Sequence, residues 1–148
     1  MTADQLKQYL HEHIPMSKAM CVEVDTVASD RVTLSAPIAP NINHRETVFG
    51  GSASALAILS GWALVHCRLA AEGHRSRLVI QRNSMSYDRP IVTDFRARAT
   101  IESDSRWQRF VRLLTRRGKA RLTVASVLSC GNETVGVFEG EFVALAQS

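Results

Sequence analysis

Hydrophobic and polar positions divide the 148-residue chain into segments of two different periods. Leu6, Tyr9, Leu10 and His13 recur at helical spacing, so Asp4 to Glu12 is expected as a short amphipathic helix ended by Pro15. Ala19 to Val27 and Arg31 to Pro37 alternate instead. Val22 and Val24, then Val32 and Leu34, are interleaved with polar residues, which predicts two strands turning at Ser29-Asp30. Pro37 to Val48 has no apolar period and reads as a loop. From Gly50 to Glu72 the apolar residues go nearly all round, the mark of a helix buried in a core, and Gly73 stops it.

After that helix period two returns. Leu78, Ile80 and the stretch Arg82 to Tyr87 predict a strand running up to Pro90. Asp94 to Glu102 sets Phe95, Ala97, Ala99 and Ile101 against Arg96, Arg98 and Thr100. Ser105 to Arg117 fits a short helix with Trp107, Phe110, Val111 and Leu114 on one side, ended by Gly118. Lys119 to Ser129 and Val135 to Ala146 are two further strands, turning at Cys130-Gly131-Asn132. One long apolar helix must be covered on most sides, and a curved antiparallel sheet wrapped around it does so. The expectation is a single α+β domain spanning 1–148, without repeat or linker. Its edge strands and half-covered faces favour a second copy and a continuous sheet.

Composition supports a globular chain, with 45% apolar and 22% charged residues. The formal charge of +4 permits nucleic acid, a membrane surface or an acidic ligand. Seven of the basic residues lie between Arg106 and Arg121. They read either as a solvated helix face or as the landing place of an anionic group. No recognition helix or aromatic basic motif accompanies them, so nucleic acid is not expected. Cys21, Cys67 and Cys130 are odd in number and share no metal-ligand spacing, which argues against a disulfide framework or a metal site. The polar N-terminus lacks the pattern of a signal peptide. Ser60, Gly61, His66 and Arg68 interrupt the longest apolar stretch, so no membrane insertion is expected. A cytoplasmic location follows.

Candidate chemistry gathers around Gly50-Gly51. The first N–H groups of a helix have no intrahelical acceptor, and with the helix dipole they suit a developing oxyanion. Glycine lets a carbonyl approach closely, and the Ser52 hydroxyl can add a donor. The polar loop just before offers Asn43, His44 (an imidazole base near neutral pH), Glu46 and Thr47. Ser84, Ser86 and Tyr87 lie on the strand expected beside the helix, where ordinary outward-facing polar alternation is the competing reading. Arg82, Arg89, Arg116, Arg117 and Lys119 are candidates for phosphate contacts.

The run Asn41 to Ser52, leading into Leu56-Ala57 and Gly61-Trp62, and the later phrase Ser84 to Ile91 resemble the hotdog thioesterase superfamily. More narrowly, they resemble the thioesterase-type domain that in some proteins is fused behind an acetyltransferase domain. The resemblance covers nearly the whole chain. It implies a hotdog fold, hydrolysis of an acyl thioester carried on coenzyme A or acyl carrier protein, no cofactor besides that carrier, and a homodimer or dimer of dimers. It implies that Asn43 helps to place the attacking water or the thioester, and that Phe49, Gly50 and Gly51 lie against the substrate. The chain departs from its relatives at two places. Phe49 stands where they carry a histidine before the glycines, and Ile58 stands near the place of their helix carboxylate. A non-catalytic acyl-binding protein is therefore the alternative. A hydratase would need an Asp/His pair, and no Asp lies between Asp30 and Asp88.

Overall fold

A computed structural model describes residues 1–147. The first helix, α1 (Ala3–His13), begins with a capping box between Thr2 and Gln5 and buries Leu6 and Leu10. Helix α1 stops just before Pro15, as expected. Pro15 opens a second short helix, α2 (Pro15–Ala19), at the position where its missing N–H costs nothing. The first strand, β1 (Glu23–Val27), therefore starts later than the expected Ala19. Met20 and Val22, which imitate strand alternation in the sequence, are buried from the turn before it.

Strand β2 (Arg31–Ala36) follows, then a 3-10 turn at Ala39–Asn41 and the long helix α3 (Gly50–Ala71). The strand β3 (Ser76–Tyr87) leads to β4 (Phe95–Thr100), the helix α4 (Asp104–Arg117), and the hairpin of β5 (Lys119–Cys130) and β6 (Glu133–Ala146). The six strands form one antiparallel sheet in the order β1-β2-β4-β5-β6-β3. Its concave face holds α3, whose Leu56, Ala57, Ala63, Leu64 and Val65 are fully buried. This is the hotdog arrangement, with the apolar helix enclosed by the sheet.

Two details position the rest. The helix comes close to β6 at Gly61, where a Cβ would sit 3.0 Å from the Phe142 ring. At the far end of α3, Trp107 of α4 donates to the Glu72 carboxylate at 2.9 Å, and Arg68 pairs with Asp104 at 2.8 Å. Helix α4 is thereby tied to the C-terminal end of α3, opposite the glycines.

Candidate active site

The chain enters α3 under tight control. Val48 donates its N–H to Ile91 O at 2.8 Å, and Phe49 donates its own to Asn41 O at 2.8 Å. Asn41 is held in turn by two bonds from its Nδ2, to Pro37 O at 2.7 Å and Met20 O at 3.0 Å. Phe49 is the N-cap and offers no side-chain acceptor; its carbonyl takes the N–H groups of Ser52 and Ala53 at 2.9 and 3.1 Å. The N–H groups of Gly50 and Gly51 are left without an acceptor among the described residues. The Phe49 ring lies over Gly51, where a Cβ would collide with it, so glycine makes room for the ring.

Beside these amides lies a pocket of about 370 Å³, lined among others by Thr47, Gly50, Ala53, Tyr87, Asp88 and Arg89. The Tyr87 ring passes over Gly50, its Cε1 3.6 Å from where a Cβ would stand. The N–H groups of Asp88 and Arg89 both donate to Val135 O, at 2.9 and 3.1 Å, which fixes the turn after β3. The Ser86 hydroxyl donates to Asp88 Oδ1. The pocket thus joins the helix start to the turn that follows β3, where the Arg89 guanidinium pairs with Glu133 Oε2 at 3.4 Å. Among the described residues no three His, Cys, Asp or Glu side chains gather as a metal site.

The sequence profile of the family described as "Putative thioesterase (yiiD_Cterm)" matches residues 3–146. The chain belongs to this thioesterase family. Its fold is that of solved relatives. A Chlorobaculum tepidum protein described as of unknown function superposes with a TM-score of 0.92 at 26% identity, over 98% of this chain and 94% of that one. A Shewanella oneidensis protein described as a putative thioesterase gives 0.83 at 25%, over 97% and 96%. A probable thioesterase of Pseudomonas aeruginosa gives 0.86 at 20%, over 99% and 97%, a likeness of fold.

Within this thioesterase-family domain the loop residues take different places. Asn43 Oδ1 accepts from the N–H groups of Arg45 and Thr47, at 2.8 and 3.2 Å, and its Nδ2 donates to Thr47 Oγ1 at 2.8 Å. It braces the loop. Of its neighbours only Thr47 reaches the pocket. His44 and Glu46 are exposed and do not line it. Glu46 sits at φ 64, in the left-handed region. Phe49 is 58% exposed, an uncommon state for so large an apolar ring beside a site. Ser52 is buried in the first turn, and its hydroxyl makes no hydrogen bond among the described residues.

Ser84 and Ser86, candidates for facing a site across a dimer, do not line the pocket of their own chain. Unbroken alternation from Leu78 and Ile80 would point both at α3. A register shift between Ile80 and Arg82 inverts the rest of β3, so that they pair with the exposed Glu139 and Val137 on the convex face. Met85 and Tyr87 take the concave face instead, opposite the buried Phe138 and Gly136. One acid that the sequence reading does not single out lines the pocket. Asp88, the acid of the phrase Tyr87-Asp88-Arg89-Pro90, lines the same pocket as Gly50, and its Oδ1 accepts from Ser86. Ser60 of α3 is fully buried and bonded to Ser126 at 2.8 Å, a core contact away from solvent.

Proposed function

We propose that the protein hydrolyses an acyl thioester carried on coenzyme A or acyl carrier protein, with the carbonyl oxygen held by the N–H groups of Gly50 and Gly51. The observation that carries this reading is the pair of unaccepted amides at the N-terminus of a 22-residue helix, opening on a pocket with a carboxylate. Asp88, whose Oδ1 accepts from Ser86, takes a proton from water at its other carboxylate oxygen as the water oxygen attacks the carbonyl carbon. The negative charge that develops on the carbonyl oxygen falls where the two amides and the helix dipole point. Collapse of the tetrahedral species breaks the C–S bond. The thiolate leaves, and the proton held by Asp88 returns to it. Tyr87 and Thr47 flank the acyl group.

Purified protein offered a panel of acyl-CoAs and acyl carrier proteins should release thiol. Asp88→Asn should lower turnover by roughly 10²–10⁴-fold, the usual worth of a positioned base, with the fold intact. No thiol release on any chain length by folded protein would defeat the hydrolase reading. Saturable acyl-CoA binding without release would establish the second reading, a non-catalytic acyl-binding protein, which the lack of any acid on α3 favours.

The working unit we propose is a homodimer. Strand β3 is an outer edge of the sheet, paired only with β6, and it carries the exposed Val79 and Tyr87. A two-fold pairing of β3 with its copy continues the sheet and covers the apolar rim around the site. Sedimentation should give twice the chain mass. The three free thiols suit a reducing compartment such as the cytoplasm.

A further inference from the structure

A second groove, of about 730 Å³, opens between α4 and the first half of β5. Its walls carry Arg106, Arg109, Arg117, Lys119 and Arg121, and no acidic residue lines it. Among the described residues, Arg121 alone of these five pairs with an acid, Glu141, at a loose 3.9 Å. Phe110 and Leu113 make an apolar floor.

The strand wall is an open edge. Strand β4 stops at Thr100, opposite Ala125, so 119–124 has β6 on one side and no strand on the other. Which backbone groups face the gap follows from the register. Ala146 donates its N–H to Gly118 O. The residue pairs in phase with that bond, Ala120 with Ala144 and Leu122 with Phe142, bond across to β6. Lys119, Arg121 and Thr123 therefore turn their N–H and C=O groups toward the groove. No partner for these groups occurs among the described residues. The same three side chains are exposed.

The groove is distinct from the proposed thioester site. Helix α4 is tied to the C-terminal end of α3, and α3 has 22 residues, so about 33 Å of helix separates that end from Gly50. We propose that this groove docks an extended acidic segment of a partner protein, added as a strand to the edge of β5. Backbone bonds to Lys119, Arg121 and Thr123 set its register, and its carboxylates meet the five cations. Charge decides between occupants. A second copy of β5 would set Lys119 and Arg121 against their own kind, and like charges facing each other across strands repel. An acidic strand has the complementary sign and the geometry that the backbone offers.

The test uses the full chain labelled with nitrogen-15 and a synthetic peptide of alternating glutamate and valine. Saturable shifts are expected at the amides of Lys119, Arg121 and Thr123, with the amides of Gly50 and Gly51 unmoved. A peptide of the same charge, N-methylated so that it cannot donate, should bind about tenfold more weakly. So should the wild-type peptide to the double variant R106E/R109E, whose exposed positions leave the fold unchanged by circular dichroism. Absence of saturable shifts at the three amides would overturn the proposal and leave a solvated basic face. Equal binding of the N-methylated peptide, or tighter binding of a single-stranded oligonucleotide than of the acidic peptide, would overturn it in favour of a charge-only surface.

Discussion

The carboxamide of Asn43 accepts from the N–H groups of Arg45 and Thr47 and donates to Thr47 Oγ1, so it closes the loop that carries Thr47 to the pocket. Asn43→Ala removes all three bonds at once. Turnover should fall about tenfold or more, while stability falls by only about 1–2 kcal/mol, since the loop is exposed and water replaces part of what is lost. Asn43→Asp keeps both acceptor bonds and loses the donor, and should lie between. A rate in Asn43→Ala equal to wild type would remove the loop from the site. Glu46 separates backbone from side chain. It occupies φ 64, which glycine adopts without strain, and its carboxylate points to solvent. Glu46→Gly should therefore raise stability by up to about 1 kcal/mol and leave turnover unchanged. A large loss of turnover in both Glu46→Gly and Glu46→Gln would return this carboxylate to the chemistry and displace Asp88.

Between α3 and the sheet two side-chain hydrogen bonds interrupt the apolar packing: Trp62 Nε1 donates to Leu78 O at 2.9 Å, and Ser60 meets Ser126 at 2.8 Å. Ser60 Oγ donates to Ala57 O at 2.7 Å, so at the 2.8 Å contact it is Ser126 that donates to Ser60. The two single variants are consequently unequal. Ser60→Ala leaves the buried Ser126 hydroxyl without an acceptor and should cost about 1–3 kcal/mol; Ser126→Ala leaves Ser60 still bonded and should cost less. Adding Ser126→Ala to Ser60→Ala should restore part of the loss in a denaturant titration, and equal single costs would refute this direction of donation. Periodicity made the elements themselves legible. The all-round apolar character of Gly50 to Ala71 announced a core helix, and period two announced the strands that cover it. It failed where one residue changes the phase. The shift between Ile80 and Arg82 inverts the face of Ser84 and Ser86 without any mark in the composition, and Met20 and Val22 look like strand positions although a turn buries them. The Gly-Gly helix start was readable because its chemistry is local. Asp88 was not, because its place depends on the turn that both Asp88 and Arg89 make onto Val135.

Across the whole molecule, the N-terminal helix is fastened to α3 by a stack of rings. His66 of α3 lies 4.6 Å from Trp62 and 4.8 Å from Tyr9, and Tyr9 lies 4.2 Å from His13, measured between ring centroids. Burial first, and then the nearby His13, lower the pKa of His66 below its ordinary value of 6.5. The sign of the resulting pH dependence follows. Below 6.5 the unfolded chain takes up a proton at this histidine while the folded chain still excludes it, so protonation favours unfolding. The contribution of His66 is full above its ordinary pKa. It is lost as pH falls from there through the lower folded-state value, and it changes no further below that. Replacing His66 with Phe keeps a flat ring in the stack and removes the titration. Denaturant midpoints of both proteins at about pH 7.5 and about pH 5 isolate this group, since every other titrating residue is common to the two. The wild type should lose more stability than the variant over that interval. A difference between the two proteins that stays constant with pH would mean that the ring stack accepts the charged imidazole, and that the docking of the N-terminal helix does not depend on keeping His66 neutral.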